Sequence, residues 1–149
     1  ANQGAHLIDL LSWFMGDPVR VYGETAIMNH DIETEDIGLA ILNFESGAKG
    51  TILGTTTFPE SVYFRAEVHG SEGGILVDEA DKGSIRVFGE GLEEKLQTID
   101  NPIQNVVEDV VSAIEKGTKL RVDGHEGKRT VALLEKIYES ARKGMAVTT

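Results

Sequence analysis

A chain of 149 residues, 40% of them hydrophobic and 26% charged, is long enough for one domain with an apolar core and too apolar to stay disordered. Its net charge of −11, from 14 Lys+Arg against 25 Asp+Glu, argues against nucleic acid and anionic membranes as partners, since both require a basic footprint. Cysteine is absent, which excludes disulfide scaffolds, thiolate metal sites and cysteine nucleophiles, and no apolar run approaches the roughly 20 residues of a membrane span.

In chain order, the first predicted element is a helix over about residues 3 to 15, stopped by Gly16 with Pro18 just beyond. The chain opens Ala1-Asn2-Gln3-Gly4 without an initiator Met and enters this helix at once, as expected of a cut end. Strand patterns follow. One begins at Val19 and leads to Ile27; a largely apolar one runs from Ile37 to Phe44; the turn Glu45 to Gly50 leads into Thr51 to Phe58. Phe64, Ala66 and Val68 then alternate with Tyr63, Arg65, Glu67 and His69, the period-2 signature of a half-buried strand. Gly70 to Gly74 turns the chain into Ile75-Leu76-Val77, Ile85 to Phe88 continues the meander, and a weaker strand is expected near Lys95 to Thr98. Ile103, Val106, Val107, Val110 and Ile114 recur at helical spacing before a stop at Gly117. Asp123 followed by Glu126 resembles a capping box, and Leu134, Ile137, Tyr138 and Ala141 give the last helix its apolar face. The predicted fold is therefore α+β: an open-faced, mainly antiparallel sheet of about six strands with helices packed on one face, in a single domain covering 1–149. The uncovered face, expected to carry Thr51, Thr55, Tyr63 and Arg65, is available to water, a ligand or a partner subunit.

The first helix holds the most informative chemistry. At about 100° per residue, Asn2, His6, Asp9 and Trp13 fall within a stripe roughly 60° wide. Oxidising a secondary alcohol requires a base for the hydroxyl proton, and an imidazole changes charge close to neutral pH. A carboxylate one turn away can orient that ring or bind a neighbouring hydroxyl, and an amide holds a hydroxyl without adding charge. The same residues equally describe an exposed His–Asp helix pair, and spacing alone does not separate the two readings.

Gly4-x-His6-x-x-Asp9-Leu10-Leu11-x-Trp13, followed by Gly16-x-Pro18-x-x-Val21, resembles the start of the C-terminal domain of the Gfo/Idh/MocA oxidoreductases, the glucose–fructose oxidoreductase and inositol dehydrogenase family. The resemblance continues through Asn43-Phe44-x-x-Gly47-Ala48-x-Gly50, the Gly70-x-x-Gly73 hairpin and Ile137-Tyr138-Glu139-Ser140-Ala141-Arg142-x-Gly144. It implies that His6 is the catalytic acid/base, that Asp9 binds substrate or supports the histidine, and that Asn2 contacts substrate. Many members carry Asp at the position of Asn2; an amide cannot share a proton, so the resemblance does not extend to an Asp–His dyad. It further implies a cytoplasmic NAD- or NADP-dependent dehydrogenase acting on a sugar, cyclitol or related polyol, with homo-oligomers formed through the open sheet face. The family's catalytic lysine, in a Glu-Lys-Pro motif, belongs to an N-terminal dinucleotide-binding Rossmann domain. Neither that motif nor a Gly-x-Gly-x-x-Gly strand–turn–helix fingerprint occurs here, so tight cofactor binding and turnover are not expected of this chain alone. Gly70, Gly73 and Gly74 read as a hairpin turn rather than a phosphate loop.

Among the other histidines, His30 is a candidate substrate-binding residue because its loop precedes a sheet strand. Its acidic neighbours Asp31, Glu33, Glu35 and Asp36 read as a solvated connection, and no helical His-x-x-x-His spacing supports zinc. His69 lies on the polar side of its strand, His125 in the capping turn, and Trp13 reads as a packing or interface residue. Tyr63 and Arg65 suit an interface better than a substrate contact. Two other function classes stand beside the dehydrogenase: a stand-alone sheet module for dimerisation or small-molecule binding, and a small metal hydrolase around His30.

Overall fold

A computed structural model describes residues 2–57, 64–78, 84–92, 94 and 102–149, with backbone only at 2–3 and 102–104. The elements run α1 (Asn2–Met15), β1 (Pro18–Ala26), β2 (Ile37–Phe44), β3 (Lys49–Thr55), β4 (Arg65–His69), β5 (Gly74–Asp78), β6 (Ser84–Phe88), α2 (Pro102–Lys116), α3 (Gly124–Lys143) and β7 (Val147–Thr148). The α+β class is as expected. The antiparallel strands are shared between two sheets, of order β3-β2-β1-β7 and β4-β5-β6. The expected strand near Lys95 lies outside the described residues, as does Tyr63. The chain divides into two compact units, Ala1–Phe64 with Gly127–Thr149, and Arg65–Glu126.

In the first unit α1 ends where sequence placed its stop: Gly16 adopts a left-handed φ of 79° and its N–H donates to Ser12 O at 2.9 Å. The β2–β3 hairpin closes with Phe44 N–H on Ala48 O and Gly47 N–H on Phe44 O. Its register pairs Leu42 with Gly50 and Ala40 with Ile52, while β1 pairs Val21 with Leu42 and Gly23 with Ala40. One face of the sheet thus gathers Val21, Ala40, Leu42 and Phe44, which bury themselves against Ile8 of α1 and Leu133 and Ile137 of α3. Fully burying side chains such as Val21 and Leu42 is worth about 1.5–3 kcal/mol each. On the other face Leu39, Ile41 and Leu53 are exposed, beside Thr51.

Two details set how closely α3 sits on β1. A side chain at Gly23 would place its Cβ 2.6 Å from the backbone oxygen of Ile137, so only glycine allows this approach. The short strand β7 pairs with β1 only at Arg20 and Val21. Further along that side, the Gly23 N–H instead donates to the Ser140 hydroxyl at 2.9 Å, which itself donates to Met145 O at 2.7 Å. Ser140 is fully buried and replaces the missing strand partner.

In the second unit, β4-β5-β6 is a meander paired His69 to Gly74 and Gly74 to Phe88. The turn between β4 and β5 is closed by Gly70 N–H on Gly73 O at 2.7 Å, and the Phe88 carbonyl occupies the space a Gly73 side chain would need. Helix α2 ends at Gly117, with φ of 63°. Arg121 folds back onto it, pairing with Asp109 at 3.0 Å and donating to Asn105 O. Among the described residues no helix is long and apolar enough to cross a membrane.

Candidate functional site

The candidate residues are placed by one end of the four-stranded sheet. Helix α1 runs down the inner face with Leu11 against Gly50, while Gly54, further along β3, lies 3.9 Å (through its would-be Cβ) from Gly4 Cα. The first turns of α1, carrying Asn2 and His6, therefore lie at the end of the sheet where β1 finishes at Ala26 and β2 begins at Ile37. His6 is exposed and makes no side-chain hydrogen bond among the described residues; the side chain of Asn2 lies outside them. Asp9, one turn further, is exposed and accepts a hydrogen bond from the Thr130 hydroxyl of α3 at 2.6 Å. Its neighbour Trp13 is 76% exposed, with its ring 5.2 Å from that of Phe14.

The loop joining β1 to β2 lies at the same end and carries His30. Sequence suggested a solvated acidic connection, and Asp31 and Glu33 are indeed exposed, but Asp36 is 2% exposed. One carboxylate oxygen accepts the Met28 N–H at 2.7 Å; the other accepts those of Asn29 and His30 at 2.7 and 2.9 Å and faces His30 Nδ1 at 3.3 Å. Burial pushes this carboxyl up, but donation from the Asn29, His30 and Met28 backbone and from the His30 ring outweighs it and holds Asp36 at about 2. The Asp36 backbone is tied as well: its N–H donates to Ala26 O, and its carbonyl accepts from Thr56 N–H and the Thr55 hydroxyl. Next to it, Glu35 accepts the Tyr138 hydroxyl proton at 2.6 Å; burial, with the bond to Glu35 and its charge, raises Tyr138 to about 12.

The structure therefore brings Asn2, His6 and His30 to one end of one sheet and commits Asp9 to α3. Sequence reasoning did not single out Asp36 or Tyr138, since a clamp of this kind depends on loop closure rather than on spacing. The other candidates lie elsewhere. Arg65, Glu67 and His69 form an exposed row on β4, with Glu67 bonded to Arg65 at 2.6 Å and to His69 at 3.0 Å. His125 donates its backbone N–H to the Asp123 carboxylate at 2.8 Å, the helix-capping place expected for it.

No group of three potential metal ligands occurs among the described residues, and Asp36 already spends both oxygens on donors. The glycine turn at 70–74 does not fit a dinucleotide phosphate either. It leads into β5, not into a helix N-terminus, and its first N–H is spent inside the turn.

Residues 1–76 match the family model for the GFO/IDH/MocA C-terminal domain. The chain belongs to this family. Among the relatives of this GFO/IDH/MocA domain is a D-apiose dehydrogenase from Rhizobium rhizogenes, 24% identical over 97% of the chain and 46% of the relative. A D-xylose 1-dehydrogenase (NADP(+)) from Haloferax volcanii is 26% identical, again over 97% of the chain and 46% of the relative. The chain thus spans about half the length of the curated relatives it matches. Among solved structures, the WlbA dehydrogenase from Bordetella pertussis, in complex with NADH and UDP-GlcNAcA, is 30% identical with a TM-score of 0.82, over 99% of this chain and 43% of that one.

Proposed function

We propose that this GFO/IDH/MocA domain is the substrate-binding, catalytic half of an NAD- or NADP-dependent oxidoreductase that acts on a sugar, cyclitol or related polyol. The observation that carries this reading is the placement toward one end of the sheet of an exposed His6, with no side-chain hydrogen bond among the described residues, and a His30 tied to Asp36, in a chain whose relatives include D-apiose and D-xylose dehydrogenases. The cofactor is assigned to an N-terminal Rossmann domain, a reading supported by the chain's span of about half its relatives' length and by the turn at 70–74, which opens a strand rather than a helix. What this chain supplies is proton handling and hydroxyl binding. His6 takes the proton of the reacting hydroxyl, a task for which a freely accessible imidazole is suited. Asn2 and His30 hold hydroxyls of the same molecule, and Asp9 orients substrate from its bond to Thr130. The exposed row of Leu39, Ile41 and Leu53 supports association of copies through the open sheet face in a homo-oligomer.

The test uses the full-length polypeptide that carries this domain, assayed for NAD(P)H formation against aldoses, cyclitols and nucleotide-linked sugars. The last are included because of the WlbA likeness. Activity on at least one class is expected. His6→Ala should lower kcat by about 10²–10⁴-fold with cofactor binding unchanged. A variant that retains kcat removes the acid/base role, and a cofactor-loaded protein inert on the whole panel removes the dehydrogenase reading.

A further inference from the structure

We infer that Asp36 is a positioning residue that makes His30 a hydrogen-bond acceptor for a substrate hydroxyl. This inference rests on the sugar or polyol reading above and names the device behind one of its contacts. Asp36 has no exposed side-chain surface, whereas 41% of the His30 side chain is exposed. An ionised carboxylate only accepts hydrogen bonds, so the ring nitrogen it faces carries the proton. That nitrogen is Nδ1, at 3.3 Å from Asp36 Oδ2. A neutral imidazole with its proton on Nδ1 leaves a lone pair on Nε2. The same Asp36 oxygen accepts the His30 backbone N–H at 2.9 Å, so one atom fixes both the residue's backbone and its tautomer. The consecutive N–H groups of Met28 and Asn29 on this carboxylate prevent the loop from carrying the ring away. The loop is anchored in turn by the Thr55 and Thr56 bonds to the Asp36 carbonyl, at the sheet end where the first turns of α1 carry His6. A polyhydroxylated ligand placing one hydroxyl on His6 thus meets, at the same end, a fixed acceptor rather than a second donor. No proton leaves the ring in this role: the hydroxyl donates to Nε2 and keeps its hydrogen.

The experiment is selective ¹⁵N-histidine labelling of the full-length protein, with the His30 signals assigned by loss in His30→Ala. The expected wild-type pattern is the Nδ1–H tautomer, with Nε2 shifting when a substrate sugar is added. Asp36→Ala, which removes the acceptor that Nδ1 faces, should release His30 toward the Nε2–H form. It should also raise KM by about fivefold with a smaller change in kcat. His30→Ala should raise KM similarly, and combining the two should add nothing. An Nε2–H tautomer in the wild type overturns the inference and requires no variant that folds. So does an active enzyme whose His30→Ala variant keeps its KM, a result that leaves the dehydrogenase reading standing. If the full-length protein oxidises no sugar or polyol, that reading falls and takes the substrate contact with it, while the tautomer still decides whether Asp36 governs His30.

Discussion

The middle of the four-stranded sheet and its loop end are held by different forces. In the middle, Val21, Ala40, Leu42 and Phe44 meet Ile8, Leu133 and Ile137 in close apolar contact, and the fully buried Ser140 hydroxyl both accepts and donates a hydrogen bond. At the loop end, order comes from polar ties: the Asp36 carboxylate, the threonines at the end of β3, and Tyr138 on Glu35. An apolar core is indifferent to direction, whereas hydrogen bonds fix orientation as well as position. A residue that must present a particular nitrogen is better held by the second kind of contact. The difference implies that the two regions fail separately: damage in the middle should unfold the domain, and damage at the end should misplace His30 within a folded one.

The largest expected effect is that of Leu42→Ala. Leu42 is completely buried at the centre of the sheet, and such a truncation costs about 2–5 kcal/mol through lost transfer energy and the cavity left behind. Urea denaturation should show a correspondingly lower midpoint; a loss under about 1 kcal/mol would mean that the core does not carry the middle of the sheet. Ser140→Ala comes next. It strands the buried Gly23 N–H and takes the donor from the part-buried Met145 carbonyl, at about 1–3 kcal/mol. A midpoint equal to that of the wild type would show that another group satisfies both.

The middle of the sheet was largely legible in the sequence, because periodicity reports on burial. The strand over Ile37 to Phe44 has the observed bounds, and the stops at Gly16 and Gly117 fall where glycine supplies a left-handed turn. The two-residue strand β7 was not legible, since Val147 and Thr148 are too few to show a period and act only by capping the edge of β1. Nor was the division into two sheets, which depends on which hairpins pair rather than on which segments are strands. Of the candidate site, the stripe carrying His6 and Asp9 was visible as helical spacing, but the tie from Asp9 to Thr130 spans 121 positions and leaves no local pattern. Asp36 was hidden among acidic neighbours of identical composition. Only loop closure distinguishes it from the exposed Asp31 and Glu33.

The loop end should respond to acid. Asp36 is held at about 2 in the folded protein against an ordinary 3.8, so the unfolded state binds its proton first as the pH drops. The stability it contributes is complete above about pH 4 and is lost as pH falls through about 2. Asp36→Asn should be less stable than the wild type at neutral pH and lose less between pH 4 and 2. Parallel acid-denaturation curves for the two proteins would mean that folding leaves the proton affinity of Asp36 unchanged, so that the clamp does not favour its ionised form.

Thr130→Val should have the smallest effect, and it separates the two aspartates. Asp9 and Asp36 each accept a hydroxyl or N–H at 2.6–2.7 Å, but Asp9 is exposed and Asp36 is buried. When Thr130 loses its hydroxyl, water replaces the bond to Asp9, and valine keeps the side chain's shape. The expected cost is below about 1 kcal/mol, since a hydrogen bond exchanged for one to water has little net worth. If Asp9 orients substrate as proposed, the same variant should nevertheless raise KM modestly, because a solvated carboxylate samples more directions than one held by α3. A stability loss as large as that of Ser140→Ala would place the tie from Asp9 to Thr130 in the frame of the domain. Unchanged stability together with unchanged KM would leave Asp9 as a solvated surface carboxylate, and the hydroxyl binding proposed for this end of the sheet would then fall to His30 held by Asp36.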